Sequence, residues 1–333
     1  MSNTGLADTQ CLMWFAAAMH SVTRGWSAAD SDCPARLCEL NALIAELTRS
    51  NAIAEPKLVC HGTNGGFAVA PPLAAHEKAV FSRRGWHIAI KASSLNADFS
   101  HPAEQARLAG TLYHEMRHAE QTFRAAILMA GRLAAQARSQ MTPNIVSRIE
   151  QALQKRLGIP AWVSQAATSQ GLRKHHDLNT ELISEPEAAV AVWAGELWTD
   201  ADGRSVASRA RHELARRQLV YNQTALAFAM CYQHYRAWHG IAASRMQPCL
   251  TARWAAFLAA EKQLEQAFAA YAMLGIEQDA AHVAAQIERR LHPAAVVSDG
   301  VDDAVRKRVA ARMNMHTLLA DPRAWRPLGL EPE

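Results

Sequence analysis

No uncharged stretch of this 333-residue chain is long enough to cross a bilayer, which takes about 20 consecutive apolar residues. None of its six cysteines, Cys11, Cys33, Cys38, Cys60, Cys231 and Cys249, belongs to a CxxC pair. That argues against a thiolate zinc site. A reducing compartment would keep them as free thiols. An oxidising one would let Cys33 pair with Cys38, or Cys231 with Cys249. A phosphate-cradling loop is missing too, because the glycine-rich residues 62–66 lack the lysine and the helix start that it needs. The formal net charge is only +4. The basic clusters at Arg209, Arg211, Arg216 and Arg217, and at residues 306–308, read as solvated helix faces. No aromatic residues interleave with them in the manner of single-strand binding, so no nucleic-acid partner is expected. The apolar run at residues 11–19 is short and follows no basic residue, so it reads as a first amphipathic helix and not as a signal peptide. The protein is expected to be made in the cytoplasm, and leaving the cell would take a specialised secretion system.

Half of the residues are hydrophobic and a fifth are charged. This is ordinary globular composition, in a chain longer than the usual single domain. No internal repeat is evident. Short strands are expected over 57–61, over 67–70 after an Asn-Gly turn, and over 86–91, where polar and apolar residues alternate. A long helix is expected from 102 to 138, with Leu108, Leu112, Ala119, Phe123, Ala126, Ala130 and Leu133 as its apolar stripe. From about residue 203 the pattern is helical. One amphipathic helix runs through Leu214 and Tyr232, another through Trp254 and Phe268, and two more cover 278–291 and 302–319. The expected fold is thus α+β and predominantly helical. Residues 1–50 form an N-terminal helical segment, 51–200 a core, and 201–333 a helical C-terminal subdomain.

Residues 114–118 read His-Glu-Met-Arg-His. One helical turn separates His114 from His118, so both imidazoles project from the same side. Two such rings can hold one Zn²⁺ through nitrogens about 2.0–2.1 Å away. Glu115, beside the first ring, can take the proton of an activated water without ligating the metal. A satisfied core or surface histidine is the plain alternative. The helical context, with both rings at the edge of the apolar stripe, favours a metal.

A small sheet followed by an HExxH helix resembles the zincin metallopeptidases. That resemblance implies an edge strand just before the helix that pairs with a peptide substrate. By position, the candidate is the segment at residues 87–94. The metzincin pattern HExxHxxGxxH is excluded, because Gln121 stands for its glycine and Arg124 for its last histidine. The gluzincin alternative takes a third ligand from a glutamate on a later helix. Glu187 is favoured, since it follows Pro186 and opens an Ala/Val/Trp-rich helix running to about Trp198. Glu187 could instead close a capping box with Ser184. Glu181, Glu185, His175 and His176 stay open as alternative ligands. Glu120 and Arg117 read as solvated helix positions, while Gln121 could bond a ligand ring or the sheet. His175, His176, Tyr221, Tyr232, His234 and His239 are candidate oxyanion donors.

The wider string over residues 113–121 resembles the HExRHxxQ helix of zincin domains in bacterial secreted effectors and polymorphic toxins. The resemblance covers about residues 86–198. One departure is Ala191, where that group has an aspartate one turn after the glutamate. The implied activity is a zinc-dependent metallopeptidase with metal ligands His114, His118 and Glu187 and with Glu115 as general base. Its substrate would be a protein or peptide, with an immunity or delivery protein as a further partner. The alternatives are a zinc amidase acting on a cell-wall or small amide, and a non-enzymatic helical interaction protein.

Overall fold

The computed structural model describes residues 5–26, 33–61, 78–137, 142–177, 185–237 and 241–293. Their architecture is α+β and predominantly helical, as expected. A 3₁₀ turn (Gly5–Ala7) leads into α1 (Thr9–Thr23) and α2 (Cys33–Ser50). The sheet follows, formed by β1 (Lys57–His61), β2 (Ala79–Ser82) and β3 (His87–Lys91). After the single turn α3 (Ala92–Leu95) come α4 (Pro102–Ala137), α5 (Pro143–Leu157), α6 (Ala161–Asp177) and α7 (Glu185–Leu197). The last helices are α8 (Val206–Ala237), α9 (Ile241–Ala272) and α10 (Gly275–Leu291). Among the described residues no helix is long and apolar enough to cross a membrane. The strand expected at 67–70 and the helix expected at 302–319 lie outside the described residues.

The chain divides into two compact units. One holds α1 to α7, the sheet and α10; the other holds α8 and α9. In the second unit Tyr221, Phe228, Tyr232, Leu250, Trp254, Phe257 and Leu264 form the core. Two of the candidate oxyanion donors, Tyr221 and Tyr232, are therefore core residues of that unit.

The first unit is organised around α4. At 36 residues and 1.5 Å per residue, this helix is about 54 Å long. Its middle is buried nearly all round: Leu108, Leu112, Tyr113, Met116, Ala119, Phe123 and Ala126 are inaccessible or nearly so. Such a helix must be enclosed on several sides, and α1, α5, α6, α7, α10 and β2 all pack against it. The neighbouring helix α6 approaches through Gly171. A β-carbon there would lie 2.6 Å from the Ile127 carbonyl oxygen and 3.1 Å from the Gly131 nitrogen, so only glycine lets the two backbones meet. Chain reversal before α6 uses Gly158, whose left-handed backbone (φ 67°) ends α5.

The sheet order is β1-β3-β2, with β1 parallel and β2 antiparallel to β3. This corrects the expected position of the substrate edge. β3 is the central strand, hydrogen-bonded on both sides, and so has no free edge near residues 87–91. On the β1 side, the Asn41 amide of α2 occupies the outer backbone. Its oxygen accepts from Leu58 N–H (2.8 Å) and its nitrogen donates to the Leu58 carbonyl (3.2 Å). The strand left at the other margin is β2. Trp86 turns β2 into β3 with a left-handed backbone (φ 50°), which costs a branched or bulky residue about 1–2 kcal/mol. Its ring is 1% exposed and meets Phe81, Phe123 and Trp162 edge-on. Burying an indole contributes roughly 4–6 kcal/mol at about 25 cal/mol/Å², so the packing outweighs the strain.

Candidate metal centre

The rings of His114 and His118 lie at the middle of α4, nearly perpendicular, with centroids 4.6 Å apart. Their Nε2 atoms face each other at 3.0 Å. A carboxylate closes the third corner: Glu277 Oε2 is 3.5 Å from His118 Nε2 and 3.7 Å from His114 Nε2. Ligand distances of about 2.0–2.1 Å around tetrahedral zinc set ligand-to-ligand edges of about 3.4 Å. A triangle of 3.0, 3.5 and 3.7 Å is close to one face of that tetrahedron. Two imidazole nitrogens and one carboxylate oxygen also form a His₂Glu donor set of the kind that leaves a fourth position open. The three residues therefore fit a metal ion, and among the described residues they are the one such group.

Glu277 opens α10, where the N-terminal end of the helix dipole favours an anion. No side chain of Leu274, the residue before the helix, caps it. Glu196 of α7 does so instead, accepting from Gly275 N–H (2.7 Å) and Ile276 N–H (3.0 Å). Carboxylate bonds to free N–H groups at a helix start are charge-assisted and strong. Helix α7 was expected to supply the third ligand through Glu187. It does pack on α4 and α10, but its described contributions are the Glu196 cap and Trp193, whose ring lies 5.1 Å from the Arg117 guanidinium. Glu187 and Glu185 are in its first turn, and their side chains lie outside the described residues. Glu181 lies outside them altogether, as do the side chains of His175 and His176 in the last turn of α6.

Glu115, on the same helix as the two rings, is 9% exposed. Its Oε2 accepts from Phe81 N–H of β2 at 2.6 Å. Within the β2–β3 register the backbone groups of Phe81 are thus directed to the outer side of β2, and period-two alternation directs those of Ala79 the same way. Glu115 and the outer margin of β2, which no other strand among the described residues pairs, are consequently side by side.

Two positions read as solvated are buried. Arg117 is 4% exposed and Glu120 is inaccessible. Arg117 donates from Nε (2.7 Å) and Nη2 (3.2 Å) to the Asp279 carboxylate of α10, and from Nη1 to Glu120. Glu120 also accepts from Leu6 N–H and from Arg124. Of the two openings left for Gln121, a histidine ring or the sheet, the structure shows the ring: its Oε1 is 2.9 Å from His118 Nδ1. Its Nε2 donates to the Ile276 carbonyl (2.9 Å) and to Asp279 (2.7 Å).

Burial alone would lower the His118 pKa. The charge and hydrogen bond of Glu277, the charge of Glu115 and the bond to Gln121 outweigh it and push the ring up to about 9. Burial likewise would raise the Glu277 carboxyl, but His118 and His114 hold it well below the usual carboxylate range. A metal ion bound at this corner would have to displace the proton of His118.

Sequence reading missed Glu277. One signal for it was present. Ile276, Ala280, Val283, Ala284 and Ile287 mark the buried face of α10, and Glu277 stands one turn before Ala280 and two before Ala284, on that apolar face. A carboxylate there needs a cationic or metal partner. No protein-family model matches the chain, and no curated protein or solved structure is significantly similar to it.

Proposed function

We propose that this chain is a zinc-dependent hydrolase of peptide bonds, with His114, His118 and Glu277 as ligands and Glu115 as general base. The observation that carries the proposal is the triangle of two imidazole nitrogens and one carboxylate oxygen, whose edges suit a tetrahedral ion. A nitrogen-rich mixed set of this kind suits zinc better than calcium or magnesium, which prefer oxygen. Zinc held there would supply Lewis-acid polarisation of the scissile carbonyl and would make water acidic enough to be deprotonated near neutral pH.

The remaining chemistry belongs to the chain. Phe81 N–H fixes Glu115 Oε2, leaving Oε1 to take one proton from the attacking water. The water oxygen bonds to the carbonyl carbon, the carbon–nitrogen bond breaks, and Glu115 passes the proton to the departing amine. Low exposure of Glu115 favours this shuttle by keeping bulk water from competing for the proton. A peptide, rather than a small amide, is supported by the outer margin of β2. An extended chain can add there by backbone hydrogen bonds through Ala79, directly beside Glu115. The HExRHxxQ string is what supports a bacterial effector or toxin as the setting.

The test pairs metal content with cleavage. Wild type and Glu115→Ala are loaded with zinc, assayed by elemental analysis, and incubated with a mixed-sequence peptide library read by mass spectrometry. One zinc in each protein, with fragments from the wild type alone, is the expected result. Equal cleavage by both, or no zinc in the wild type, overturns the proposal. Zinc without any cleavage would shift the reading to another amide or to a non-enzymatic site.

A further inference from the structure

Gln121 sits between a candidate metal ligand and the helix that brings the third one, and its amide can be oriented from its partners. On one side lie the Ile276 carbonyl and the Asp279 carboxylate, at 2.9 and 2.7 Å. Both are acceptors only, so the NH₂ group must face them. The amide oxygen therefore faces His118 Nδ1 at 2.9 Å. An oxygen that only accepts requires a proton on Nδ1. In the neutral ring the lone pair is then on Nε2, the atom that points at His114 and Glu277.

Asp279 is itself fixed. The Arg117 guanidinium grips both of its oxygens through Nε and Nη2, and is held in turn by Glu120 and covered by Trp193. Asp279 stands two residues after Glu277 in α10. The same contacts that orient His118 thus also set the register of α10 against α4.

On the premise of the proposed metal site, the geometry points to Arg117, Gln121 and Asp279 as a clamp that performs two tasks. It selects the Nδ1–H tautomer of His118, and it presents Glu277 opposite the two histidines. These are positioning residues: they touch ligands and their helix, never the metal. Partners of this kind characteristically change metal affinity about 10–100-fold when removed.

Zinc alone is the probe. Dissociation constants are measured by chelator competition for the full-length wild type, Gln121→Met, Asp279→Leu and the conservative Asp279→Asn. Urea unfolding reports on the fold of each, and ¹⁵N spectra of the histidine rings are recorded on the zinc-loaded wild type. We expect binding about 10–100-fold weaker in Gln121→Met and Asp279→Leu, substantial recovery in Asp279→Asn, and His118 coordinated through Nε2 with a protected Nδ1–H. Folded Gln121→Met that binds zinc as tightly as the wild type overturns the clamp while leaving the site intact. So does His118 coordinated through Nδ1, a reading that decides the matter even if the variants fail to fold. A wild type that takes up no zinc overturns the site, and the clamp falls with it.

Discussion

Glu277→Ala removes the one carboxylate among the described residues that reaches the Nε2 atoms of both His118 and His114, at 3.5 and 3.7 Å. Structural zinc sites are worth about 10–16 kcal/mol in apparent binding free energy at neutral pH. Shared over four ligand positions, one protein ligand contributes roughly 2.5–4 kcal/mol. At about 1.4 kcal/mol per factor of ten, losing it should weaken zinc binding by about two to three orders of magnitude. Some of that loss is recoverable, since a second water can fill the vacated corner, and the lower figure is then the better guide. Chelator competition at pH 7.5 measures it, with urea unfolding to confirm that α10 still docks. The same titration on Glu187→Ala gives the contrast, because that residue was the sequence-based expectation. Near-wild-type affinity in Glu187→Ala beside a large loss in Glu277→Ala is the expected pattern. The reverse pattern would refute the argument and return the third ligand to α7.

Two further outcomes test the packing and the electrostatics. In metal-free protein, His118 has its pKa raised from 6.5 to about 9. Its interaction with Glu277 therefore stabilises the fold fully below about pH 6.5 and is lost as pH rises through about 9. Zinc binding should tighten over the same interval, since the metal must displace that proton. Urea midpoints measured against pH with chelator present should fall across this window in the wild type and stay flatter in Glu277→Gln; parallel curves would sink the idea. Gly171→Ala sets helix propensity, which favours alanine by about 1 kcal/mol, against a β-carbon 2.6 Å from the Ile127 carbonyl oxygen. Backbone cannot yield cheaply, so overpacking of about 1–3 kcal/mol should win, with a net loss of stability in urea unfolding. A gain would show that α4 and α6 are less tightly apposed.

The pieces of the site legible in the sequence are those separated by one helical turn. His114 and His118 face each other on α4, with Glu115 on the same helix, because a 3.6-residue period carries its own geometry, and the stripe through Leu108, Leu112 and Phe123 marked the buried face of α4. The strand at 86–91 was visible from its alternation, yet its partners were not. Pairing β3 between β1 and β2 depends on how loops close and on what covers each margin, and alternation is identical for a central and an edge strand. Arg117 and Glu120 looked solvated because charged residues on helices generally are. Their burial follows from Asp279 and the 3₁₀ turn at Leu6, contributed from far along the chain.

Local spacing thus determined by itself the fold class, the long central helix and two of the candidate ligands with the adjacent Glu115. The third candidate ligand was a tertiary decision. Several glutamates follow the motif, and each can open or flank a helix equally well. Only the docking of α10 on α4, capped by Glu196 and gripped through Asp279, brings Glu277 to within 4 Å of both rings. Side-chain chemistry is fixed by residue type and near neighbours, whereas a site built from two helices is fixed by the contacts that hold those helices together.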